Sequence, residues 1–245
     1  MVDRRVSLAA IALFAFSLCS VIPQEQGPRE EDAVENTTGA DWLPPGSVSP
    51  AVERHALEIQ ARLQTGIPSF QREALLSIRS GLETGDRNEM RIATVPLVID
   101  LLDEEYRILE FPRDYRVDET TRLVALEVLA EVGGAAARSQ IRISVTDDDD
   151  STIRAEAARL LATYPGDTPE EDLSAVSRAL LRSVHRGGST AEVYRLVGAA
   201  RELSVRVWDP SNPELLDALV LIAGGGYSAS LRSAAISLLE ELADR

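Results

Sequence analysis

The chain has 245 residues and a formal net charge of −15, and all 25 of its cationic side chains are arginines. Such a negative surface repels phosphate and anionic lipid, which argues against nucleic acid as a partner and limits any membrane contact to the N-terminal segment. Aromatic residues make up 4% of the chain, so its core must consist of Leu, Ala, Val and Ile, as in closely packed helices.

Residues 1–22 have the pattern of an export signal. Arg4 and Arg5 precede an uncharged run from residue 6 to residue 22, which is long for a signal sequence and short for a spanning helix. Three outcomes are open: cleavage, lipidation at Cys19 as in bacterial lipoproteins (although Leu18 departs from that pattern), or retention as an anchor. Each predicts an exported protein, periplasmic or anchored to a bacterial envelope.

Residues 23–49 are predicted to be a disordered acidic tether. The segment is rich in Pro, Gln, Glu and Gly, and includes the acidic run from Glu30 to Asp32. A composition of this kind cannot bury enough apolar surface to fold. We therefore expect one folded domain, residues 50–245.

Apolar residues recur with helical spacing through this domain, between turns rich in glycine and proline. The pattern predicts an all-α fold of ten helices in five antiparallel pairs. The predicted helices cover residues 52–63, 70–82, 92–106, 119–132, 135–145, 152–163, 173–184, 191–203, 214–223 and 229–243.

The helix from Thr152 to Thr163 is the clearest of them, and its pattern repeats. Copies of the pattern lie 32 residues upstream, around Arg122, and 78 residues downstream, around Arg232. Blurred copies lie near residues 70–78 and 193–203. Repetition at intervals of this size indicates a solenoid, in which stacked helix pairs share one core.

The repeated pattern resembles HEAT-type repeats. The resemblance rests on an acidic or Ser cap, an Arg, a small residue and a Leu-Leu pair, which are best seen in Asp150, Arg154, Ala157, Leu160 and Leu161. It covers residues 50–245 and departs in the first two pairs, where 50 residues separate Arg72 from Arg122. The resemblance implies a right-handed α–α superhelix of about five helix pairs, whose inner helices line a concave surface that binds other proteins.

Three arginines, Arg122, Arg154 and Arg232, occupy one position of the repeat. The first two follow Asp118 and Asp150 by four residues. They form either a row that binds a partner or a ladder of Arg–carboxylate contacts between stacked repeats. We favour the ladder, because arginine is suited to bidentate pairing with carboxylates.

Two irregular segments interrupt the repeats. Tyr106, Phe111 and Tyr115 cluster in the first segment, and Trp208 lies in the second. Aromatic residues on loops are frequent binding residues, so these four are predicted to contact a partner. The alternative is that the loops fold back and bury their aromatic side chains.

Motifs for catalysis or cofactor binding are missing from the sequence. The acidic run 147–150 lacks the Gly and the distant Glu of a calcium loop, and His55 and His185 have no spaced companions for zinc. We therefore predict no metal and no cofactor, and a non-enzymatic, exported scaffold that binds a protein partner in the cell envelope. A purely structural spacer and an enzyme with an unrecognised site are the alternatives.

Overall fold

The computed structural model describes residues 43, 46–103, 117–207 and 212–244. The chain divides into two units, Met1–Thr38 and Gly39–Arg245, and every described residue belongs to the second. The described residues form ten α-helices and no strand, which confirms the predicted all-α class.

The ten helices follow one another with short connections at most junctions. In chain order they are α1 Pro50–Leu63, α2 Pro68–Thr84, α3 Arg87–Leu102, α4 Glu119–Val132, α5 Ala135–Asp147, α6 Ser151–Thr163, α7 Pro169–Arg186, α8 Thr190–Ser204, α9 Pro213–Gly224 and α10 Ala229–Ala243.

Local signals set most of these boundaries. The side chains of Asp118, Asp150, Ser189 and Ser228 accept hydrogen bonds from backbone amides at the starts of α4, α6, α8 and α10. Proline opens α1, α2, α7 and α9, where its missing N–H would have had no helical partner. The tight connection from α4 to α5 has positive φ at both of its residues, 133 and 134, which explains its two glycines.

Helix α3 departs most from the sequence-based boundaries. It was predicted over residues 92–106, but it begins at Arg87, because the Asp86 side chain accepts hydrogen bonds from the amides of Asn88 and Glu89. It ends at Leu102, before the extended backbone of Asp103. The apolar pattern alone missed this first turn, since its first three residues, 87–89, are polar.

The helices pack in two sets, the odd-helix layer (α1, α3, α5, α7, α9) and the even-helix layer (α2, α4, α6, α8, α10). Each helix contacts its partner in the pair and the next helix of its own layer. The core between the layers consists of aliphatic side chains, among them Leu75, Leu126, Leu161, Leu180 and Leu196. One helix pair cannot cover its own apolar stripe, so neighbouring pairs cover it.

Leu43 lies within the predicted tether, yet it is buried. It packs with Ala56 of α1 and Ala93 of α3 in a small cluster of its own. Close by, the amide and hydroxyl of Ser49 both donate to Glu89 Oε2, at 3.2 and 2.7 Å. Leu43 and Ser49, which both precede α1, therefore contact the first helices.

Candidate functional site

Arginine–carboxylate contacts connect each even helix to the next one. Between α2 and α4, Arg79 donates to both oxygens of Glu131, at 2.8 and 2.5 Å, and approaches Glu127 at 3.5 Å. Between α8 and α10, Arg201 approaches Glu241 at 3.2 Å. These side chains are partly exposed, so each contact contributes about 1 kcal/mol or less to stability.

The contact between α4 and α6 is more deeply buried. Arg122 Nη1 lies 2.5 Å from Asp148 Oδ2, and its Nη2 lies 3.8 Å from Asp150. Burial alone would raise the pKa of Asp150. Hydrogen bonds from Thr152 and the positive charge of Arg122 outweigh it and hold that pKa below its ordinary value. Asp150 is therefore both the cap of α6 and part of the contact with α4.

Arg154 connects α6 to α8. Its Nη2 lies 2.6 Å from Glu192 Oε1, and the Glu192 side chain is 2% exposed. Nη1 donates to the carbonyls of Asp148 and Asp149, at 2.7 and 2.9 Å, so the guanidinium also holds the connection that precedes its own helix. One arginine thereby fixes a connection and a neighbouring helix.

The five residues predicted to stack the repeats fall into three groups. Arg122 and Arg154 contact the part of the chain that follows their own helix pair or belongs to the next one, with Asp148 and Glu192 as their nearest carboxylates. Asp118 caps α4 and lies 3.4 Å from Arg72 of α2, and Asp150 lies at the edge of the Arg122 contact. Arg232 is exposed and makes no ion pair with any described residue. At every even-to-even step the arginine comes from the earlier helix, and the carboxylate comes from the later helix or from the connection that precedes it.

A similar contact in the odd-helix layer was missed by the sequence analysis. Arg138 of α5 donates to Asp172 of α7 at 2.5 and 2.8 Å, and to the carbonyls of Tyr164 and Leu161. Asp172 is fully buried, and burial raises its pKa although Arg138 and Arg142 oppose the rise. The sequence contained one signal for this contact. Arg138 and Arg142 share one face of α5, and the next odd helix, α7, begins with an acidic turn.

One face of the even-helix layer remains open to solvent. It consists of the residues two, six, nine and thirteen positions after each N-cap, and none of these is buried on any even helix. We call this surface the even-helix face. Its residues at the ninth position are Leu76, Glu127, Arg159, Gly198 and Ser237. Leu76 is 53% exposed, and the Arg159 side chain 49%.

The odd-helix layer has an open groove of about 500 Å³ between α5 and α7. Ile143, Arg142 and Arg178 line it together with carboxylates and hydroxyls. Arg142 is held by Glu171 and by Thr168, and lies 3.7 Å from Asp172. Its charge is thus already engaged within the protein.

The predicted partner-binding residues Tyr106, Phe111, Tyr115 and Trp208 lie outside the described residues, as does Cys19 with the whole export segment. The first three fall between α3 and α4, and Trp208 falls between α8 and α9.

The acidic run 147–150 is engaged in structural contacts. Asp148 and Asp150 contact Arg122, and Asp150 accepts from the amide of Thr152 at 2.8 Å. Across the described ranges, no group of three or more His, Cys, Asp and Glu side chains is arranged to hold a metal ion. Among the helices of those ranges, none is long and apolar enough to cross a membrane.

Comparisons with protein-family models, with curated proteins and with solved structures gave no match to this chain.

Proposed function

We propose that the chain is an exported HEAT-like repeat scaffold that binds a protein partner in the cell envelope and has no enzymatic activity. The proposed architecture is a right-handed superhelix of about five stacked helix pairs. It is supported by the contacts within each layer, which follow chain order from α1 to α10, and by the recurring arginine contacts between neighbouring repeats.

The even-helix face is the observation that carries the proposal. It recurs on five helices that contact one another in order, so it extends over several repeats rather than surrounding a closed cavity. A specific protein interface buries about 800 Å² on each partner, which requires a surface of several helices. Exposed Leu76 and Arg159 give this face apolar and cationic groups of the kind that contribute to protein interfaces.

The two irregular segments supply the rest of the proposed binding surface. Tyr106, Phe111 and Tyr115 precede α4, and Trp208 precedes α9. Tyrosine and tryptophan are enriched among the residues that dominate binding energy. We propose that they contact the same partner as the even-helix face.

Export rests on the first 22 residues of the sequence. The mass of the mature N-terminal peptide distinguishes cleavage, lipidation of Cys19 and retention of an anchor, because each process leaves a different N-terminus.

Affinity purification from envelope extracts of the source cells, with quantitative mass spectrometry, tests the binding proposal. Changing Leu76→Asp together with Arg159→Glu should reduce the retained partner about tenfold or more, because each adds a charge that the partner does not match. Changing Tyr106, Phe111 and Tyr115 to Ala should have an effect of similar size.

Val220→Asp is the matched control for that experiment. Val220 is 60% exposed on α9 in the odd-helix layer, so this change adds a charge away from the even-helix face. It should leave retention of the partner unchanged. Retention that is equal in the wild type and in both sets of binding variants would contradict the proposal.

A structural spacer is the second candidate function. Several charges on or next to the even-helix face are engaged internally: Arg159 with Glu156 at 2.5 Å, and Arg79 with Glu131. A spacer predicts that surface changes are tolerated in the cell while a core change such as Leu161→Asp is harmful. The affinity experiment separates the two functions, because a spacer retains no partner through this face.

A further inference from the structure

Helix α10 exposes a surface that is buried in the other even helices. The eighth residue after the N-cap is Leu126 in α4, Ala158 in α6 and Val197 in α8, and these are 0%, 0% and 3% exposed. In α10 the same position is Ile236, which is 45% exposed. The surface that receives the next even helix is therefore uncovered among the described residues.

This surface is turned away from α8. Arg201 of α8 contacts α10 through Glu241 and through the carbonyl of Ala234. At 3.6 residues per turn, Ile236 lies roughly 150° around the helix from these two residues. It occupies the side on which the contacts of α4, α6 and α8 continue to the next helix.

The uncovered surface also carries Arg232, which has no carboxylate partner within the described part of the chain. Arg232 has the repeat position of Arg122 and Arg154, which lie 2.5 and 2.6 Å from carboxylates of the following repeat. Arg232 makes no such pair with the residues described. A complete partner surface would supply both an apolar contact for Ile236 and a carboxylate for Arg232.

The exposed surface of α10 itself offers both an apolar side chain, Ile236, and a carboxylate, Glu240. Arg232, Ile236 and Glu240 are all exposed and are spaced four residues apart on one face, so an antiparallel copy centred on Ile236 places Arg232 opposite Glu240 twice. Ala229 and Ala243, also exposed, fall opposite each other at the two ends and permit close approach. We infer that a second copy of this chain docks here, with the two α10 helices antiparallel about a two-fold axis at Ile236.

The inference does not depend on the even-helix face, because Ile236 lies outside it. One helix from each copy makes a small interface, below about 1,200 Å², which is the size of weak complexes with micromolar dissociation constants. Each chain carries a net charge of −15, which opposes association. Dimerisation should therefore be measured near 0.15 M salt, where the electrostatic screening length is about 8 Å.

Sedimentation equilibrium of the purified full chain over about 1 to 200 µM, the range of weak interfaces, tests the inference. The wild type should dimerise. Arg232→Glu and Glu240→Arg should each raise the dissociation constant about tenfold or more, because each places like charges opposite one another in both symmetric contacts. The double variant Arg232→Glu/Glu240→Arg should recover dimerisation, since the pairs re-form with reversed polarity.

Ile236→Asp should also give a monomer, whereas Val220→Asp on α9 should leave the dimer intact. Circular dichroism melting of every variant verifies that it is folded, and the charge reversals at exposed positions keep the test valid if Ile236→Asp unfolds. A wild type that stays monomeric at all concentrations would overturn the inference. So would a dimer that is insensitive to the single charge reversals, or a double variant that remains monomeric.

Discussion

Arg138 and Asp172 form the most deeply buried ion pair among the described residues of the odd-helix layer. Asp172 is inaccessible to solvent, and the Arg138 side chain is 12% exposed. Removing both charges of a buried pair is often nearly neutral, whereas removing one leaves the other without compensation. The pair therefore fixes how α5 packs on α7 more than it adds net stability.

Arg138→Met should lower the free energy of unfolding by about 3–5 kcal/mol, because it removes both hydrogen bonds to the buried Asp172 carboxylate and leaves it only the longer contact with Arg142, at 3.7 Å. Urea denaturation followed by circular dichroism measures the change. Arg178→Met, at an exposed position of α7, is the matched control and should cost less than about 0.5 kcal/mol. The double variant Arg138→Met/Asp172→Leu should recover most of the loss. Equal stabilities for Arg138→Met and Arg178→Met would contradict this account.

The sequence predicted which arginines form ion pairs between helices better than it predicted their carboxylate partners. The repeat position of Arg122 and Arg154 was visible as a recurring phase. The identity of their carboxylates depends on the shift and rotation between stacked helices, which a single sequence does not specify. Asp148 and Glu192 are thus nearer to these arginines than the carboxylates that the sequence suggested.

At the scale of helices, the location of each element could be predicted from the sequence far better than the ion pairs between elements. Apolar residues with helical spacing, capping side chains and prolines at first turns located all ten described helices. The predicted start of a helix was wrong where its first turn is polar, as in α3, which begins at Arg87. The predicted end at Tyr106 failed because Asp103 is already extended, and extended backbone at one residue leaves no mark in a hydrophobic pattern.

Helices α6 and α8 pack closely because small residues lie where they meet. Ala155, Ala158 and Ala162 of α6 are at most 2% exposed. Ala158 is fully buried, so we expect a larger side chain at this position to displace backbone or neighbouring side chains.

Ala158→Leu should therefore lower the free energy of unfolding by about 1–3 kcal/mol through overpacking, measured by urea denaturation. Ile236→Leu changes the same repeat position in α10, where the side chain is 45% exposed, and should change stability by less than about 0.5 kcal/mol in the monomer. If Ala158→Leu were as stable as the wild type, α6 and α8 would not be as closely packed as described.

At the scale of the whole molecule, the described helices repeat one interaction. Each even helix receives the next one on the same side and holds it with an arginine, while the even-helix face stays open. The helical spacing of apolar residues predicted the helices that make these contacts. The open face and the exposed surface of α10 required the structure, because exposure depends on which neighbours are present.

The central claim is that the even-helix face binds a protein. Its most direct test is photo-crosslinking in the source cells, with a benzoyl-phenylalanine placed singly at Leu76, Arg159 or Gly198. Ile143 and Val220, exposed in the odd-helix layer, serve as control positions. The proposed function predicts that the three even-helix positions crosslink to the same protein and that the two controls do not. Crosslinks confined to the control positions, or no crosslinked protein at any even-helix position, would contradict it.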